Sequence, residues 1–86
     1  MQIQGAVIKE QGQTFAVVVV QPHVVGNQSE AKSAIVSLTP VFGGVPVVLM
    51  AQDSRGTPTY FGRPDIARFM SHVPLRAIPW KQYTIN

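Results

Sequence analysis

Four consecutive valines, Val17–Val20, close a stretch of chain that suits a strand and little else. The stretch Thr14–Val20 reads Thr-Phe-Ala-Val-Val-Val-Val. β-Branched side chains lose χ1 freedom in a helix but pack well on a pleated surface. A second run, Val45–Ala51, reads Val-Pro-Val-Val-Leu-Met-Ala and has the same character. Neither run alternates between apolar and polar residues, so each is apolar on both faces. Such strands belong in the middle of a sheet, covered on both sides. The rest of the chain must therefore supply two layers of cover.

The flanking segments are read in that light. Gln2–Lys9 alternates and, through Glu10-Gln11-Gly12-Gln13, reads as the first arm of a β-hairpin with the valine run. Gln21–Asn27 reads as a loop, punctuated by Pro22 and Gly26. Asn27, with Glu30 three residues on, has the form of a capping box, and Ser29 is the alternative cap. Ala31, Ala34, Ile35 and Leu38 then recur at helical spacing, and Pro40 ends that helix near Leu38 or Thr39. Gly43-Gly44 is a break. Pro46 has no N–H and is expected at the beginning of the third strand. Asp53–Gly56 reads as a turn, and Thr57–Phe61 as a short edge strand containing Pro58. Pro64 and Asp65 suit the start of a second helix, which carries Ile66, Phe69, Met70 and Val73 on one stripe and closes at Pro74. Arg76–Ile85 is read as a last strand or an extended strap.

These elements predict a single domain, residues 1–86, of the α+β class. The expected order is β-β-α-β-β-α-(β), a mixed sheet of four to five strands with two helices packed on it. Two helices are expected to cover one side of the sheet. The other side then needs the C-terminal strap or a second copy, which makes a homodimer the expected oligomer.

The chain has 86 residues and no cysteine. Disulfides, thiolate zinc sites, iron–sulfur clusters and redox dithiols are excluded. Charged residues make up 13% of the chain, about half the share in an average soluble domain. No apolar run approaches the roughly 20 residues of a membrane span. The N-terminus lacks the basic-then-apolar pattern of a signal peptide, so a cytoplasmic location is expected. The net charge of +3 is unevenly placed. Lys9 and Lys32 balance Glu10 and Glu30 in the first part of the chain. Arg55, Arg63, Arg68, Arg76 and Lys81 outnumber Asp53 and Asp65 in the remainder. An anionic partner is one reason for such asymmetry.

One segment bears a family likeness. Gly44-Val45-Pro46, an apolar strand, an Asp-x-x-Gly turn at Asp53–Gly56, a short strand ending in Gly62, and a helix with Ile66 and Phe69 follow one another. This run, residues 44–73, resembles the C-terminal half of thioredoxin-like domains. In that family the matching proline is cis and borders the active site, and the resemblance implies the same for Pro46. The chain departs from the pattern in having no cysteine, in placing Val47 where the family has threonine, and in opening with a hairpin rather than a strand and helix. The resemblance thus implies a thioredoxin-like sheet without thiol–disulfide chemistry.

No cluster of residues forms a catalytic or cofactor signature, and no catalytic residue, metal ligand or cofactor is assigned. His23 and His72 lack the close-spaced partners a zinc site requires. His72 suits a helix C-terminus. His23, in a loop after a central strand, is the better candidate for a functional role. The four carboxylates each have a local structural reading, which leaves no acid–base pair. Phosphate-binding glycine motifs and a Gly-x-Ser-x-Gly elbow are also missing. The basic set is different. Arg55, Arg63 and Arg68, with Tyr60, Phe61, Trp80 and Tyr83 between and after them, could hold phosphates and stack bases. The competing reading pairs Arg68 with Asp65 and uses Trp80 and Tyr83 to cover the core.

The sequence therefore points to a non-enzymatic binding or interaction module, homodimeric, with a basic–aromatic C-terminal surface. Its candidate ligand- or anion-binding residues are Arg55, Arg63, Arg68, His23, Tyr60 and Trp80. The alternatives are a small ligand-binding protein or enzyme with a pocket near Pro46 that uses His23 and Tyr60, and a weak nucleic-acid or anion binder. A structural subunit of a larger complex is indistinguishable from the first reading.

Overall fold

A computed structural model describes residues 1–10 and 12–85. The chain runs through β1 (Gln2–Glu10), β2 (Gln13–Val19), α1 (Pro22–Val25), α2 (Gln28–Leu38), β3 (Val47–Gln52), β4 (Pro58–Phe61), α3 (Pro64–Met70) and β5 (Lys81–Thr84). Short 3-10 turns at Thr39–Phe42 and Leu75–Ala77 complete it. The architecture is α+β, with a mixed five-stranded sheet in the order β4-β3-β2-β1-β5.

The two apolar runs become the neighbouring strands β2 and β3, which pair in parallel with Ala16 opposite Val47 and Val18 opposite Leu49. Parallel pairing needs a crossover, and α1, α2 and the first 3-10 turn supply it. The other three pairings are antiparallel. The β1–β2 hairpin forms as expected, with Gly5 opposite Val18 and Glu10 opposite Gln13. Its turn includes Gln11, which lies outside the described residues.

Period-two alternation splits the core into two layers. On one face Ala6, Phe15, Val17, Val48 and Met50 pack with Ile66 and Met70 of α3 and with Ile78. On the other, Ala16, Val18, Val47 and Leu49 pack with Ala31 and Leu38 of α2. The expectation that both helices share one side is thus corrected: α2 and α3 lie on opposite faces. The parallel β2–β3 crossover takes α2 to one side, and the β4–α3 connection returns to the other. The strap joins α3, with Ile78 buried and Trp80 packed beside it. The central strands β2 and β3 are thus covered on both faces, while Val7 of β1 stays exposed.

Local chemistry explains the element boundaries. Asn27 caps α2, its Oδ1 accepting the Glu30 N–H at 3.1 Å. The reciprocal half of a capping box does not form, since the Glu30 carboxylate instead lies 3.5 Å from His23 Nε2. The segment read as a loop contains one helical turn, α1, with Pro22 at its first position. After α2, Thr39 Oγ1 donates to the Ile35 carbonyl at 2.7 Å, and the chain tightens into a 3-10 turn. Gly43 and Gly44 then take φ values of 73° and 89°, a left-handed turn that a Cβ would oppose. β3 starts at Val47, two residues later than expected, because Pro46 offers no N–H to the ladder. Its carbonyl still accepts the Ala16 N–H at 2.8 Å. The peptide bond preceding Pro46 is trans, as are all the others described, which corrects what the family likeness implies there. α3 ends at Met70 rather than Val73, closed by Ser71 Oγ donating to the Arg68 carbonyl at 2.6 Å. The tail does form a strand, β5, which pairs with β1.

A groove beside Pro46

The start of β3 and the end of β4 adjoin, because these strands are antiparallel and Leu49 stands opposite Phe61. α2 passes over the same corner of the sheet. Between them lies an open groove of about 390 Å³, lined by Lys32, Ile35 and Thr39 of the helix, Pro46 and Val47, Phe61 and Gly62, and Arg63. Its floor is apolar, and its charged groups are the two cations, Lys32 and Arg63. This volume is within the range of small-molecule sites, roughly 300–1,000 Å³.

Arg63 precedes α3, where Pro64 and Asp65 begin the helix. Its Nε donates to Asp65 Oδ1 at 2.9 Å and its terminal nitrogen to Oδ2 at 2.6 Å, a two-point pair. The guanidinium so placed holds the Asp65 carboxyl down to about 2. The expected Arg68–Asp65 pair is replaced by this one: Asp65 turns back toward Arg63. Arg68 lies in the last turn of α3, and its carbonyl also lies 2.9 Å from His72 Nδ1. His72 thus sits against the helix C-terminus, as its position in the sequence implies.

The remaining candidates are dispersed. His23 projects from α1 with its side chain 67% exposed and faces only Glu30. Arg55 lies in the β3–β4 turn, where Asp53 Oδ1 accepts the Arg55 and Thr57 N–H groups at 2.8 and 2.9 Å. Tyr60 points to the α3 face, opposite to the groove, and packs on that core layer. Its hydroxyl is buried without a hydrogen-bond partner, and burial raises its pKa. Trp80 packs on the same layer and donates its ring N–H to the Leu75 carbonyl at 3.2 Å. Tyr83 meets Phe42 edge to face at 5.0 Å. Trp80 also shares a pocket wall with Lys81, and Phe61 shares the groove with Arg63, so basic and aromatic side chains meet at two separate places rather than on one surface. Among the described residues Arg63 lines the groove and Trp80 a separate pocket, so these two candidates do not share a wall.

A pocket beside Pro46 is present, but His23 and Tyr60 do not line it. Of the candidates Arg63 alone does, and Lys32 joins it. The signal for Lys32 was in the sequence. Lys32, Ile35 and Thr39 fall at i, i+3 and i+7 and so share a helix face, adjacent to the buried stripe of Ala31 and Leu38. Among the described residues there is no group of three metal-ligating side chains, and no helix is long and apolar enough to cross a membrane. No protein-family model, no curated protein and no solved structure matches this chain.

Proposed function

We propose that this protein is a non-enzymatic binding module whose recognition site is the groove between α2 and the β3–β4 corner. Its ligand combines an apolar group with an anion. The observation that carries this reading is the wall itself: an apolar floor of Ile35, Pro46, Val47 and Phe61, flanked by Lys32 and by Arg63, whose guanidinium also holds Asp65. The apolar part gains from burial. The cations place the anionic end and reject ligands that lack one. The likeness to thioredoxin-like domains agrees in location, since there too the matching proline borders the site. The reading takes the chain as cytoplasmic, in keeping with its lack of cysteine. A homodimer would form along a sheet edge or over exposed Val7, Val36 and Val41, since the central strands are covered on both faces.

Titration calorimetry with decanoate, and with decylamine as the cation of equal tail, tests the proposal. Decanoate is expected to bind and decylamine to bind more weakly. Lys32→Ala and Arg63→Ala should each weaken decanoate binding by about three- to tenfold. Equal binding of the two amphiphiles, or decanoate binding indifferent to both substitutions, would rule the reading out.

A further inference from the structure

The groove lies beside a free strand edge. β4 is the terminal strand of the sheet, and its hydrogen bonding to β3 fixes which backbone groups face outward. The Asp53 N–H donates to the Thr57 carbonyl at 3.0 Å. In an antiparallel ladder, hydrogen-bonded and non-hydrogen-bonded pairs alternate. With this bond at the mouth of the β3–β4 hairpin, Ala51–Thr59 and Leu49–Phe61 are the hydrogen-bonded pairs. Met50–Tyr60 and Gln52–Pro58 are the others. Tyr60 therefore directs both its N–H and its carbonyl away from the sheet, and Pro58 directs its carbonyl the same way. A strand edge with open donors and acceptors is a template for another strand.

The side chains of an added strand would follow the same alternation. A residue opposite Tyr60 faces the α3 side. Its neighbours, opposite Thr59 and Phe61, face the α2 side. The Phe61 position opens on the groove, whose wall holds Ile35, Val47 and Phe61. Past Phe61 the chain leaves the strand at Gly62, and there the wall of the groove holds Lys32 and Arg63. Backbone edge, apolar pocket and the two cations thus adjoin one another at the end of β4.

We infer that the ligand of the groove is an extended peptide segment, which adds to β4 as a sixth strand and places an apolar and an acidic side chain, two residues apart, in the pocket and against Lys32 and Arg63. This inference rests on the binding reading above and narrows its ligand class. Backbone bonds to Tyr60 supply affinity, and the pocket and cations supply selectivity, the division of labour found in strand addition generally. Lys32 and Arg63 make the acidic residue the complement, and a lysine in its place meets like charge.

The test uses two capped peptides, acetyl-Thr-Glu-Thr-Val-Thr-amide and its reversed sequence, because either strand direction is compatible with the edge. Binding is followed by amide NMR shifts and by hydrogen exchange of the Tyr60 amide. One of the two is expected to shift Lys32, Ile35, Thr39 and Phe61 and to slow exchange at Tyr60. N-methylation of its alternate amides should weaken it about fivefold or more, as should replacing its glutamate by lysine. If decanoate occupies the groove while both peptides fail, or bind as well when N-methylated, the peptide inference falls and the binding reading stands. If decanoate also misses the groove, both fall. If Tyr60 is already protected without peptide, in step with a concentration-dependent rise in mass, the edge belongs to a second copy and the inference is overturned.

Discussion

Arg63 is held by one partner and offered to another. Asp65 occupies it with two hydrogen bonds, yet its side chain also forms the wall of the groove. An anionic ligand must compete with Asp65 or share the guanidinium with it. Asp65→Asn is therefore expected to tighten decanoate binding, by about two- to fivefold, in calorimetry at neutral pH. The same pair carries a pH signature. The Asp65 carboxyl is depressed to about 2, so its contribution to stability is present above the ordinary carboxylate range of about 4. It is lost as the pH falls toward the depressed value. The wild type should have a slightly higher urea midpoint than Asp65→Asn at pH 7, and the gap should narrow below about pH 4 and vanish as the pH falls through about 2. The effect is small because both groups face solvent. A gap that does not narrow between about pH 4 and pH 2 would show that Asp65 acts through something other than its charge. Tyr60 gives a prediction of opposite sign to most core changes. Its hydroxyl is buried without a partner, and a buried polar group left unsatisfied is costly. Tyr60→Phe is expected to leave stability unchanged or to raise it by about 1 kcal/mol in urea unfolding. A loss above that size would reveal a bonded hydroxyl.

At the scale of elements, α2 carries the most, since it covers one core layer and forms a wall of the groove. Its cap has one good bond, from Glu30 N–H to Asn27, and Asn27→Ala should cost about 1 kcal/mol. On the same face of the sheet Gly5 leaves room for its neighbours. A Cβ there would lie 2.8 Å from the Val17 carbonyl oxygen and 3.6 Å from the Phe42 ring. Gly5→Val should cost about 1–3 kcal/mol by overpacking, read from the urea midpoint, and should loosen the Phe42–Tyr83 contact. Elements were the most legible part of the sequence. The valine runs, the Asn27 cap, Pro64 and the glycine pair each have a local physical cause, and each marks an element or a boundary. The side on which a helix packs was not legible. It depends on the β2–β3 pairing being parallel, a long-range contact that no local pattern states. The candidate site suffered for the same reason. Tyr60 and Arg63 are near in sequence, but strand alternation and the turn at Gly62 send them to opposite faces. Lys32 was close to the correct stripe and passed as an ordinary surface charge.

For the molecule as a whole, the two core layers mean that the central strands β2 and β3 are shared by both. Leu49 and Val17 belong to different layers yet neighbouring strands. Truncations confined to one layer and not in contact with the other should add in their effects. A sheet whose central strands are covered on both faces, with its open backbone at β4 and β5, favours encounter along an edge over encounter through a face. Of the two edges, β5 borders a pocket walled by Gln4, Trp80, Lys81 and Gln82, mostly polar side chains, and β4 ends at the apolar groove. Apolar floor, cations and open strand edge thus meet at the corner where α2 crosses the end of β4. The measurement that tests it most directly is an amide NMR titration with decanoate. The prediction is that saturable shifts concentrate at Lys32, Ile35, Thr39, Val47, Phe61 and Gly62 and weaken in Arg63→Ala. Shifts centred instead on the α3 face or the His23 turn, with that corner unmoved, would contradict it.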